Sequence, residues 1–116
     1  MAATGGEAWV EVFFIRGGKL VGREDFMMAG TEDDMPGQIL TAFVKQFYGA
    51  NPYVPPRILV QHPLDDTESI QQWLLQKRGG SVKLLVPQRG EKRRLVQMVA
   101  ENAAQGLRQV KYKHTD

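Results

Sequence analysis

Ser81-Val82-Lys83-Leu84-Leu85-Val86-Pro87-Gln88-Arg89-Gly90-Glu91-Lys92-Arg93-Arg94-Leu95-Val96 reads as a short apolar strand, a turn marked by Pro87 and Gly90, and the first turns of a helix. That helix start carries three consecutive cations. The positive end of a helix macrodipole disfavours cations by roughly 0.3–1 kcal/mol each on an exposed surface, so Lys92, Arg93 and Arg94 stand where folding alone would not put them. A bound anion would remove the penalty.

Working back from this stretch, Pro52, Pro55 and Pro56 break the chain before Arg57 to Gln61, a second short apolar strand. Asp66 or Thr67 then caps a helix holding Ile70, Trp73 and Leu74, which ends at Gly79-Gly80. Two short strands joined by a helix form a βαβ unit, right-handed and parallel in nearly all known cases. Both strands therefore end on one edge of the sheet. That edge gathers His62, Gln88, Arg89 and Gly90 with the start of the last helix, and ligands of open α/β sheets favour the carboxyl ends of strands. Helix N-termini add free N–H groups that bind anions.

Further out, Ala8 to Arg16 and Lys19 to Met27 are rich in Val, Phe and Ile, and Gly17-Gly18 between them suits a tight hairpin turn. Val10, Val12 and Phe14 lie on one face and Trp9, Phe13 and Ile15 on the other, so both faces contact protein. Met35, Ile39, Leu40, Phe43, Val44, Phe47 and Tyr48 follow helical spacing, with Pro36 in the first turn and Gly49 at the end. The last helix, about Glu91 to Arg108, buries Leu95, Val96, Val99, Ala103 and Leu107. Steps of about 100° per residue place Lys92 in line with Val99 and Val110, on the stripe facing the sheet, while Arg94 points away. Arg89 and Lys92 therefore rank above Arg93 and Arg94 as phosphate ligands. The expected fold is α/β, a hairpin followed by α-β-α-β-α around one small mixed sheet. Residues 8–110 form a single domain, with 1–7 disordered or appended and 111–116 a C-terminal tail.

At 116 residues and 42% hydrophobic content, one domain buries a modest core without staples. The absence of cysteine excludes disulfides and thiolate metal sites and fits a reducing cytoplasm. Met1 to Gly6 lack the regions of a signal peptide, and no apolar run approaches membrane-spanning length. Residues 1–75 hold five Lys/Arg against ten Asp/Glu, whereas residues 76–116 hold ten against three. The basic third is the part expected to meet phosphates.

Three segments, Val12-Phe13-Phe14-Ile15-Arg16-Gly17-Gly18-Lys19-Leu20-Val21-Gly22-Arg23, Phe43-Val44-Lys45-Gln46-Phe47-Tyr48 and Val86-Pro87-Gln88-Arg89-Gly90-Glu91-Lys92-Arg93-Arg94-Leu95, carry a resemblance. They resemble the middle region of the UvrC family, nuclease subunits of the bacterial UvrABC nucleotide excision repair system. The likeness runs from about Ala8 to Arg108. In that family the region lies between the segment that contacts UvrB and a C-terminal nuclease domain of RNase H-like fold. The family's GIY-YIG nuclease, C-terminal nuclease and helix-hairpin-helix motifs have no counterpart in these residues. The resemblance implies an RNase H-like topology lacking its first strand, since the six residues before Glu7 are too few to supply the strand that precedes the hairpin.

Catalysis is tested by the carboxylates. Two-metal nucleases need several carboxylates converging on central strands to hold cations about 3.5–4 Å apart. Arg57 to Gln61 and Ser81 to Val86 carry none. In a two-residue-turn register Glu11 sits opposite Glu24, with Asp25 beside it and no third group placed nearby, so no metal or other cofactor is expected. His62 lacks an orienting partner for general-base work, Gly17-Gly18-Lys19 lacks phosphate-loop spacing, and Trp9, Phe13, Phe14 and Trp73 read as core. Two functions follow. One is a non-catalytic accessory domain gripping DNA backbone through Gln88, Arg89, Lys92, Arg93 and Arg94. The other is a spacer that docks UvrB or another UvrC domain. Neither takes a membrane or a small-molecule substrate.

Overall fold

The strand Glu7–Arg16 (β2) turns through Gly17 and Gly18, both at positive φ, into the strand Lys19–Ala29 (β3). Residues with a Cβ pay steric strain at both turn positions, which is why glycines stand there. This is a computed structural model, and it describes residues 1–114. The expected order of a hairpin followed by α-β-α-β-α holds throughout: Pro36–Ala50 (α1), Arg57–Leu59 (β4), Thr67–Arg78 (α2), Lys83–Leu85 (β5) and Gly90–His114 (α3). The last helix runs past Arg108, into what reads from sequence as a tail. No helix among the described residues is long and apolar enough to cross a membrane.

Two details differ from the sequence reading. The residues before Glu7 do supply a strand, Ala2–Thr4 (β1), which pairs antiparallel with Glu7, Ala8 and Trp9. A turn of two glycines lets three residues suffice. The strands also pair as two sheets, β1-β2-β3 and β4-β5, rather than as one mixed sheet. The parallel strands are three residues each and spend their ladder bonds on one another, with the Val60 amide continuing the pairing onto the Leu85 carbonyl at 2.9 Å.

The chain divides into two compact units, residues 1–33 with 97 onward, and residues 34–96. In the first, Ala8 and Val10 of β2 and Ala103 and Leu107 of α3 are buried. A Cβ on Gly106 would stand 2.6 Å from the Trp9 indole, so the helix approaches β2 more closely than any other residue type would allow. The hairpin is regular up to an irregularity between Phe14 and Ile15, where pairing changes from Ile15↔Leu20 to Phe14↔Gly22. An extra residue on one strand is a β-bulge, and it displaces every pair beyond it by one.

In the second unit, α1 buries Ile39, Leu40, Phe43 and Val44, the residues its helical spacing singled out. Pro36 opens the helix, and the Gln38 side chain accepts from the Met35 amide at 2.7 Å. Thr41 is buried. Its hydroxyl donates to the Gly37 carbonyl at 2.7 Å and accepts from the Asp65 amide at 3.0 Å, tying α1 to the loop after β4. Burial pushes the Tyr48 phenol up to about 12, with Tyr53 adding to the shift. Asp66, of the two cap candidates, accepts from the Ser69 amide, and α2 ends at Gly79 in the left-handed conformation. Ile70 and the fully buried Leu74 face inward, while the Leu84 amide donates to Gln71 Oε1 at 3.1 Å and fixes β5 to the helix.

Candidate nucleic-acid interface

The parallel pairing Arg57↔Lys83, Ile58↔Leu84 and Leu59↔Leu85 makes both strands end on one edge, as the βαβ reading requires. From that edge the chain runs through Val86, Pro87, Gln88 and Arg89 into α3. Gly90 has a φ of +82°, and a Cβ added there would meet nothing within 4 Å, so backbone conformation rather than space dictates glycine. The sharp turn leaves Arg89 outside the helix and puts Glu91, Lys92 and Arg93 in its first turn.

Arg89, Lys92, Arg93 and Arg94 are all exposed. The exposure of Lys92 fits a side chain that reaches out over the strand ends from its phase in line with Val99. The Gln88 amide donates to the Val86 carbonyl at 3.1 Å, folding that side chain onto its own loop. The same edge carries His62, half-buried, and the acidic start of α2 with Asp65, Asp66 and Glu68 exposed. The arrangement offers a fan of cations around a helix N-terminus and no nucleophile aligned with a base. Exposed cations and free helix N–H groups are the chemistry by which proteins hold anions.

A second polar feature lies in the first unit and is set by the bulge. With pairing displaced by one, Glu11 faces Asp25 across the hairpin and Val12 faces Glu24, in place of the expected Glu11–Glu24 pair. Trp9 Nε1 donates to Glu11 Oε2 at 3.2 Å. Trp9, Glu11, Arg23 and Asp25 line a cleft of about 390 Å³ whose other wall is Asn102, Gln105, Gly106 and Gln109 of α3. The cleft was not legible in the sequence because a one-residue bulge has no marker beyond Gly22, a glycine inside a strand. No group of three or more His, Asp or Glu residues among the described residues is placed to hold a metal ion. β4 and β5 contain no carboxylate.

Comparison with known proteins adds a family to this geometry. Residues 1–110 match the family described as the UvrC ribonuclease H-like domain. The chain is similar to UvrABC system protein C of Dehalococcoides mccartyi strain BAV1, 44% identical over 113 residues, covering 97% of this chain and 19% of that protein. The protein of the same name from Acetivibrio thermocellus is 50% identical over 105 residues, or 90% of this chain and 17% of its own length. That of Symbiobacterium thermophilum is 50% identical over 101 residues, or 87% and 16%. The chain thus spans less than a fifth of the length of the curated relatives it matches. No solved structure matches it.

Proposed function

This chain belongs to the UvrC ribonuclease H-like domain family, and from that membership we propose that it is a non-catalytic accessory domain of the excision nuclease of nucleotide excision repair, contacting DNA backbone through the start of α3. The observation that carries the reading is the set Arg89, Lys92, Arg93 and Arg94, exposed together at a helix N-terminus where folding disfavours cations. Phosphates satisfy both the cations and the free N–H groups of the first turn. Such contacts position a domain on DNA without reading sequence. A mobility-shift titration over several salt concentrations is the direct test, since a phosphate-bound domain loses affinity steeply with salt.

The carboxylate inventory supports the non-catalytic half of the reading. Two metal ions need several converging carboxylates, and the Glu11–Asp25 pair has no third placed with it among the described residues. The chain alone is therefore expected to leave both damaged and undamaged duplex intact with Mg²⁺ or Mn²⁺ present. Reproducible nicking that disappears in an Asp25→Asn or Glu24→Gln variant would sink this half.

A docking spacer for UvrB or another UvrC domain is the second reading. It is favoured by the hairpin tip, where Ile15, Leu20 and Val21 are 41%, 51% and 60% exposed. Under that reading the cations meet protein carboxylates, and the titration yields no DNA complex.

A further inference from the structure

We propose that the sheet edge opposite the start of α3 is a second contact surface for DNA backbone, made of Arg57, Lys83, Lys77 and Arg78. The proposal rests on the reading of the α3 start as a DNA contact and extends it to a face that reading does not use.

Within residues 34–96, β4 and β5 are parallel and begin on the same edge, and α2, which connects them, ends there. Arg57 and Lys83 are direct partners in the ladder and both are exposed, so two cations stand on neighbouring strands about 4.8 Å apart. Like charges directly opposite one another destabilise a sheet. Lys77 and Arg78 close α2 beside them. Those two have a local explanation, because cations are favourable at a helix C-terminus. Arg57 and Lys83 sit on strands and have none.

The carboxylates of this unit sharpen the contrast. Asp34, Asp65, Asp66, Glu68 and Glu91 all precede or begin helices. The approach of Gly37 to the Pro63 carbonyl puts the start of α1 beside the loop that follows β4, on the same side as the starts of α2 and α3. Within residues 34–96 the opposite edge therefore holds four cations and no carboxylate. Two of them are held in place: the Lys77 ammonium lies 5.9 Å from the centre of the Trp73 ring, and Arg78 Nη1 donates to the Ser81 carbonyl at 3.4 Å.

An uncompensated cationic edge complements a polyanion. From Lys83 to Arg89 is six residues, a span of at most about 20 Å, or about six steps of a duplex at 3.4 Å per phosphate along each strand. One duplex lying along the strand direction reaches both edges.

The test uses this chain and a labelled duplex of about 20 base pairs, with affinity followed from about 50 to 200 mM salt. The Arg57→Gln/Lys83→Gln variant is expected to show a log–log salt slope shallower by nearly two units, and combining it with Arg89→Ala/Lys92→Ala to subtract nearly four. Arg57→Glu alone turns a like-charge pair into an opposite pair, and should weaken binding while raising Tm by about 1–4 °C. A structural role would move binding and Tm together. A parent slope in Arg57→Gln/Lys83→Gln, with the Arg89/Lys92 effect intact, overturns this surface alone. A parent chain that binds no duplex even at low salt overturns both surfaces.

Discussion

The Arg89→Ala/Lys92→Ala variant is expected to bind duplex DNA with a log–log salt slope shallower by nearly two units than the parent chain. Each backbone contact releases condensed counterions and contributes about 0.9 to the slope. Between about 50 and 200 mM salt, the parent should therefore lose about 12-fold more affinity than the variant. Extending the change to Arg93 and Arg94 removes about 3.6 units, a difference of roughly 150-fold over the same range. All sequences should weaken alike, because phosphates carry no base identity. Stability should not fall, since the four side chains are exposed and their packing contributes little. Relief of the unfavourable dipole contacts should instead raise it by a few tenths of a kcal/mol. A variant that binds as before but unfolds several degrees lower would make these cations structural and hand the function to the docking reading.

Leu74→Ala should be the most damaging single truncation. Leu74 is 0% exposed and lies on α2 one turn from Gln71, which accepts the Leu84 amide. Leu→Ala at such a site costs about 2–5 kcal/mol through lost transfer energy and a residual cavity. At about 4 °C per kcal/mol for a domain of this size, Tm should drop by roughly 8–20 °C. Leu75, next in sequence and 38% exposed, provides the control. Its replacement by Ala should cost under about 1 kcal/mol. Equal losses in the two variants, measured by thermal denaturation, would show that the βαβ unit is not held by the inward face of α2.

Periodicity and turn chemistry carried most of the fold. Pro36 and the spacing of Ile39, Phe43 and Phe47 place α1, Gly79 ends α2, and Gly17-Gly18 closes the hairpin, each because a local backbone demand admits few residue types. What escaped depends on long-range pairing. Ala2, Ala3 and Thr4 have no strand signature of their own and become one only because β2 offers an edge. The grouping into two sheets is a choice among partners that no single strand encodes. At the candidate interface, the cations are legible as a run on a helix start, and the exposure of Lys92 agrees with a side chain reaching out over the strand ends. A long flexible side chain in the first turn reaches water whatever its phase. The four cations of the opposite edge are dispersed between positions 57 and 83, so only the ladder register brings Arg57 beside Lys83.

The bulge in the hairpin also says where this sequence can change length. Ile15 pairs with Leu20 and Phe14 with Gly22, which leaves Val21, 60% exposed, as the residue without a partner of its own in the ladder. Losing that one residue keeps every cross-strand pair on both sides. Losing any residue from Arg23 to Phe26 would instead exchange the two faces of part of β3. Length variation among descendants of such a hairpin is therefore channelled to a single position near its tip, and the cleft below it is inherited intact.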